Sequence, residues 1–177
     1  MSLPPLVARA AAFLFVAAFS ARAQAQPSPV ADSTHRPRAY RTTRTIRLDG
    51  RLDEGDWALA DSITDFRQKE PTEGGPPSVR TVVRLLATPN GLAIGWWCYD
   101  RDPASIRRTQ LRRDAALRSD DYVSMMIDGL SDRRSAFYFR TNANGSLWDG
   151  EHLDNENGNE EWDGIWDART QITGEGW

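Results

Sequence analysis

The chain has 177 residues, a formal net charge of −3, 40% hydrophobic residues and 10% aromatic residues, which is ordinary globular composition and enough for one domain. Its basic residues are scattered rather than gathered in one patch, which argues against a nucleic-acid partner. Seven tryptophans are many for this length. Because tryptophan both fills cores and stacks on ligands, this count favours a binding surface without proving one.

Residues 1–25 are typical of a secretory signal peptide. Arg9 precedes an apolar run over 10–19, and small residues at 21–25 offer two A-x-A cleavage sites. The run is shorter than the roughly 20 apolar residues that a membrane-spanning helix needs, although an uncleaved anchor remains the alternative. We expect the protein to be secreted across the inner membrane, to the periplasm, the outer membrane or the extracellular medium.

Residues 26–42 contain Pro and Ser without periodicity and are interpreted as a flexible lead-in to one folded region, residues 43–177. Within that region, alternation of polar and apolar side chains predicts a first strand over 43–48. The strand is expected to end at the turn pair Asp49-Gly50.

Asp53 is a good helix N-cap, and it predicts a single helical turn that carries Trp57, Leu59 and Ala60 inward. The Pro- and Gly-rich stretch that follows, residues 66–77, is expected to be a loop.

Two strands are predicted next, over 79–87 and 91–99, joined by a hairpin at Pro89-Asn90-Gly91. Both sides of the second strand are largely apolar, which favours a central position in its sheet. Cys98 lies in this strand and is the only cysteine, so we interpret it as a small buried apolar residue and not as a reactive thiol.

The stretch over residues 120–142 reads as two further strands, because apolar and polar side chains alternate in each half. The apolar face comprises Val123, Met125, Ile127, Phe137 and Phe139. The opposite face comprises Tyr122, Ser124, Tyr138, Arg140 and Asn142. Aromatic rings beside an arginine and an asparagine suit a flat, polar ligand, and the alternative is a solvated outer sheet face.

After this stretch, Asn144-Gly145 predicts another hairpin and a short strand to Asp149, followed by an acidic loop over 150–163. A last strand is predicted over 165–173, with a turn at 174–176. Several short strands without βαβ alternation predict an all-β fold, an antiparallel β-sandwich. The chain stops where another strand is expected, so the sandwich is predicted to be incomplete at its C-terminus.

Four segments resemble the family 9 carbohydrate-binding modules: IRLDGRLDEGDWALA, VRTVVRLLATPNGLAIGWWCYDRDP, DDYVSMMIDGLSDRRSAFYFRTNANG and WDGIWDA. The resemblance covers about residues 45–177. It is nearest to the modules at the N-terminus of large secreted bacterial proteins whose C-terminal part is an outer-membrane barrel of unassigned function. It implies a jelly-roll-like sandwich with immunoglobulin-like layers that binds sugar, often with structural calcium.

The resemblance also assigns roles to individual residues. Arg140 matches the family's hydrogen-bonding arginine, Ser124 falls on its glutamate, and Arg118 lies near its first clamping tryptophan. The second tryptophan and the asparagine of the family would lie past Trp177. We expect Arg140 to anchor the sugar, surrounded by Tyr122, Tyr138, Ser124 and Asn142.

Five aspartates at strand ends are candidate calcium ligands, because calcium takes six to eight oxygen donors. The alternative is that each is an N-cap or a turn acid. They are Asp49, Asp53, Asp100, Asp102 and Asp128.

The sequence therefore predicts a non-catalytic module of a secreted bacterial protein, linked to polysaccharide catabolism, with an oligo- or polysaccharide as partner. The alternative is a structural module that docks on a C-terminal outer-membrane barrel domain and binds no sugar. Catalysis is not expected, because the two histidines, His35 and His152, form no metal cluster. The adjacent carboxylates Asp120 and Asp121 would point to opposite faces of a strand.

Overall fold

The computed structural model describes residues 36–154 and 158–177. The predicted signal peptide and most of the lead-in, including His35, lie outside these residues. The described chain is all-β, as the sequence predicts, with two sheets and three short 3-10 helices but no α-helix. No helix in this part of the chain has the length and apolar character needed to cross a membrane.

The seven strands of the described residues are β1 (Tyr40–Arg41), β2 (Ser62–Ile63), β3 (Thr81–Thr88), β4 (Gly91–Cys98), β5 (Tyr122–Ile127), β6 (Ala136–Asn142) and β7 (Leu147–His152). The three 3-10 helices are Gly55–Leu59, Pro103–Ser105 and Leu117–Ser119.

The first sheet is built around β3, which pairs antiparallel with β4 along its whole length. It also pairs with β1 in parallel and with β2 antiparallel. The predicted hairpin between β3 and β4 is confirmed, but the central position predicted for β4 is wrong. Among the described residues β4 pairs only with β3 and, at Cys98, with Trp177. An apolar run over both sides of a strand therefore did not mark a central place in the sheet, and most of β4 is only half-buried.

The core of the first sheet lies under the first 3-10 helix. Trp57 is 3% exposed and packs with Ala60 and Leu86. The predicted inward position of Trp57 and Ala60 is confirmed, whereas that of Leu59 is wrong because this side chain is 61% exposed. A 3-10 helix has three residues per turn, so Trp57 and Ala60 share a side that Leu59 does not.

Glu54, and not Asp53, holds the start of this helix in place. Its carboxylate accepts the indole N–H of Trp57 and the backbone N–H of Arg47, both at 2.9 Å. The strand predicted over 43–48 is wrong, since the Arg47 N–H binds a side chain instead of a neighbouring strand and Leu48 is exposed. The strand pairing lies earlier in the chain, in β1.

The second sheet has the order β5-β6-β7, and both of its pairings are antiparallel. The two strands predicted within 120–142 are confirmed as β5 and β6. The predicted Asn144-Gly145 hairpin is confirmed as well, because Gly145 has a φ of +78° between β6 and β7. Strand β7 runs three residues beyond the predicted end at Asp149.

The strand predicted over 165–173 is wrong, because this segment is irregular. Trp166, in this segment, and Trp162, just before it, pack their rings on the apolar face of β6. Trp162 lies 4.9 Å from Phe137, and Trp166 lies 5.2 Å from Phe139, between ring centres. Aromatic packing holds the segment where backbone pairing was expected. The predicted turn near 174–176 is confirmed by pairing of Thr173 with Gly176.

Candidate functional site

The polar face of the second sheet is defined here by Tyr122, Ser124, Met126, Tyr138, Arg140 and Trp148. Strand register places them together: Ser124 lies opposite Arg140, which lies opposite Trp148, and Met126 lies opposite Tyr138. Directly opposed residues of an antiparallel pair share one face. The predicted residues Tyr122, Ser124, Tyr138 and Arg140 are thus brought to one surface, on which Tyr122 and Ser124 are exposed.

Trp148 is the residue of this face that the sequence reasoning missed. The Arg140 guanidinium carbon lies 4.0 Å from the centre of the Trp148 ring, a cation–π contact. The Asn144-Gly145 pair signalled a hairpin but not its register, because a two-residue loop there would set Arg140 opposite Asp149, one residue away from the observed pairing with Trp148.

Gly150 lies between the Trp148 ring and the segment that follows β7. A Cβ at this position would lie at an ordinary contact distance of 3.4 Å from Cη2 of Trp148 but only 3.1 Å from the carbonyl oxygen of Asn159. The glycine therefore allows the close approach of Asn159, beside the ring over which Arg140 lies. Nearby, Tyr138 packs against His152 with ring centres 4.9 Å apart.

Asn142, the fifth predicted ligand residue, is fully buried. Its amide nitrogen donates to the Gln110 carbonyl at 2.8 Å and to Asp120 at 2.7 Å. Its oxygen accepts the backbone N–H groups of Asn144 at 3.1 Å and Ser146 at 2.9 Å. All four hydrogen bonds that an amide side chain can form are made within the protein. Its role here is structural.

The carboxylate of Asp120 belongs to the same buried network. Burial by itself raises the pKa of Asp120, but hydrogen bonds from the Thr109 hydroxyl, from the Gln110 and Thr109 amides and from Asn142 together hold it well below its usual range. Asp121 points elsewhere and accepts the Arg107 N–H at 2.7 Å. The two carboxylates thus fix the segment that precedes β5.

Three of the five predicted calcium ligands accept backbone hydrogen bonds, each within its own turn. Asp49 accepts the Arg51 N–H at 2.9 Å, and Asp100 accepts the Asp102 N–H at 2.7 Å. Asp128 accepts the Arg133 N–H at 2.9 Å. These are turn contacts, and in the described part of the chain none of the five belongs to a cluster of three acidic groups.

Another acidic cluster is present, made of Asp114, Asp149 and Asp163, with ligand atoms within 4.8 Å of one another. The Arg113 guanidinium lies among them, 2.5 Å from Asp149, 2.9 Å from Asp163 and 3.6 Å from Asp114. Burial raises the pKa of Asp114, Arg113 lowers it, and the other two acids raise it, with a net rise. The cluster is thus an arginine-centred ion-pair network.

Two clefts open beside the first sheet. One, of about 540 Å³, includes Arg80, whose guanidinium lies 5.0 Å from the Tyr99 ring centre. The other, of about 460 Å³, runs between β4 and the C-terminal residues and is lined by Trp96 and Trp177. Neither includes a residue of the polar face.

Cys98 lies at the end of β4 and is partly buried. Burial, with a smaller contribution from the charge of Asp121, raises the pKa of its thiol to about 12. A thiol with such a pKa is almost entirely protonated at neutral pH and is a poor nucleophile. This agrees with the structural interpretation of this residue.

No family model, no curated protein and no solved structure matches this chain.

Proposed function

We propose that the chain is a non-catalytic carbohydrate-binding module of a secreted bacterial protein, and that the sugar lies on the polar face of the second sheet. The observation that carries this proposal is the stacking of Arg140 on Trp148, 4.0 Å from the ring centre. Stacking holds the guanidinium plane while its edge N–H groups remain able to donate. A fixed row of donors on an aromatic surface suits the hydroxyl groups of a sugar.

The neighbouring side chains supply the other contacts that a sugar needs. Tyr122 is 41% exposed and offers a ring face, and Ser124 offers an exposed hydroxyl beside Arg140. Full burial of a ring contributes roughly 1.5–3 kcal/mol, and a neutral hydrogen bond about 0.5–1.5 kcal/mol net. A few such contacts give weak, reversible binding, which is typical of a shallow, solvent-open site.

The finer architecture is part of the same proposal. We infer that the two sheets are the layers of a β-sandwich of the family 9 type. The support is that each sheet has an apolar side, which carries Leu86 in one sheet and Phe137 and Phe139 in the other. A structural calcium ion follows from the same resemblance, and export follows from the signal-peptide pattern of residues 1–25.

Calorimetric titration of the purified chain with a panel of neutral and acidic oligosaccharides tests the proposal. We expect binding to at least one class, weakened by Arg140→Gln and by Trp148→Ala. Arg41→Gln is the matched control, because it removes the same charge from an exposed position in the first sheet. Failure of the folded protein to bind any member of the panel would exclude this function.

A second candidate is a docking module for an outer-membrane barrel domain. It is favoured by two apolar side chains near the end of the β5–β6 hairpin, Met126 and Leu130, which are 63% and 62% exposed. Exposed apolar groups of this size often mark contact surfaces. The full gene product distinguishes the two candidates: docking predicts a downstream region of alternating segments of about ten residues, and a module that binds no glycan.

A further inference from the structure

The charge of Arg140 has no counter-ion in the described part of the chain. No carboxylate there forms an ion pair or a hydrogen bond with its guanidinium, whereas Arg113 contacts three aspartates. The polar face around it consists of uncharged side chains. Asp128, which follows β5, accepts the backbone N–H groups of Asp132 and Arg133. Arg140 is therefore the charged side chain of this face, and Glu160 lies at its edge, with its Cα 3.6 Å from a Cβ placed at Gly150.

The same guanidinium lies over an aromatic ring, with its carbon 4.0 Å from the centre of Trp148. A guanidinium presents its N–H groups as a planar fork that matches the two oxygens of a carboxylate. Because the contact with Trp148 restricts the arginine side chain before the ligand arrives, less side-chain freedom is lost on binding.

We infer that this face selects a sugar that carries a carboxylate, that is, a uronic acid unit, over its neutral counterpart. The inference rests on the proposed function and specifies its ligand class. In the complex, the carboxylate accepts two hydrogen bonds from Arg140. The exposed Ser124 hydroxyl and the Tyr122 ring then contact the remainder of the sugar.

The net charge of the chain is −3, so an anionic glycan is not attracted by the protein as a whole. Selectivity for the acid must come from the local contact with Arg140. Added salt screens an exposed pair, and the preference is therefore expected to shrink between low and high ionic strength.

The test compares trigalacturonate with its fully methyl-esterified form, which has the same rings and hydroxyls without the charge. Titration of the full chain is expected to give roughly tenfold tighter binding of the acid, the effect of a charge-assisted contact. Arg140→Gln should abolish this preference. Arg140→Lys should retain part of it, because the charge remains while the planar fork is lost.

Arg41→Gln is again the control and should keep the full preference of the unmodified protein. Equal binding of the acid and the ester would overturn the inference while leaving the proposed function in place. An equal loss of preference in Arg41→Gln and Arg140→Gln would also overturn it, since general charge would then be the cause. If the folded chain binds neither these ligands nor neutral oligosaccharides, the proposed function fails too.

Discussion

In the first sheet, the core is apolar: Trp57, Ala60 and Leu86 are buried against one another, and Leu86 is fully buried. In the second sheet, the largest fully buried side chains are polar, Asn142 and Asp149. Apolar burial is non-directional and tolerates small shifts. A buried polar network is stable only when each partner is satisfied, so it fixes positions more closely.

This difference assigns separate tasks to the two sheets. The contacts of the first sheet contribute stability through buried area. The contacts of the second sheet connect three segments to the strands that carry the polar face. These are the segment before β5, the β6–β7 turn and the C-terminal segment. Residues of the second sheet that lie far from the polar face can therefore weaken ligand binding by displacing that face.

The largest effect is expected at the apolar core. Trp57→Ala should lower the free energy of unfolding by about 3–5 kcal/mol, because a buried ring is lost and a cavity remains. The change also removes the indole donor to Glu54 and the edge contact with Trp97, whose ring centre is 6.0 Å away. Urea denaturation followed by circular dichroism measures the effect.

Leu59→Ala is the matched control, two residues along the same 3-10 helix and 61% exposed. It should change the free energy of unfolding by no more than about 0.5 kcal/mol. A loss below about 1 kcal/mol for Trp57→Ala would show that the core of the first sheet lies elsewhere.

Asn142→Ala tests the polar core and should cost about 3 kcal/mol of unfolding free energy. It leaves the buried N–H of Ser146 without its acceptor and removes one of the four hydrogen bonds to Asp120. The same denaturation assay applies, with the exposed turn residue Asn90→Ala as control. Unchanged stability together with lost glycan binding would instead assign Asn142 to the ligand, as the sequence first predicted.

Arg113→Gln should cost about 2 kcal/mol, because Asp149 is fully buried and would lose its ionic partner. The effect is below that of a wholly buried pair, since the Arg113 side chain is 36% exposed and water can replace part of the contact. Arg169→Gln is the control: it breaks an exposed pair with Asp167 and should cost less than about 1 kcal/mol. Equal losses of unfolding free energy in the two variants would show that the burial of Asp149 does not strengthen its pair with Arg113.

The sequence predicted the regular parts of both sheets. Strands β3 to β6 lie within about two residues of their predicted bounds, because period-two alternation and turn pairs mark strands locally. It could not predict β1 and β2, since two residues are too few to show a period. It also predicted a strand over 165–173, because the packing of Trp166 on Phe139, which positions this irregular segment, has no local signature.

The candidate site was predicted in part, for the same physical reason. Alternation placed Ser124 and Arg140 on one face, which the register confirms. It placed Asn142 there too, and could not reveal that Gln110, 32 residues earlier, and Asp120 enclose its amide. Contacts between residues so far apart in sequence follow from the fold and not from a motif.

A smaller effect is expected from pH. The folded state holds the pKa of Asp120 below the ordinary value of about 3.9, so the unfolded state binds more protons in that range. The stabilisation by Asp120 is complete above about pH 4 and is lost as pH falls through the folded-state pKa. Between about pH 5 and about pH 2, the unmodified chain should therefore lose more stability than Asp120→Asn. Parallel pH profiles would contradict this role.

The smallest effect on stability is expected at the polar face itself. Arg140→Gln should lower the free energy of unfolding by only about 0.5–1 kcal/mol, because its guanidinium forms no ion pair or hydrogen bond in the described part of the chain. The cation–π contact with Trp148 is the interaction lost. A guanidinium that contributes so little to the free energy of unfolding is available to bind a ligand. Denaturation and glycan titration of the same Arg140→Gln preparation should thus show nearly unchanged stability and reduced binding. A large loss of stability would instead show that Arg140 is a structural residue like Asn142.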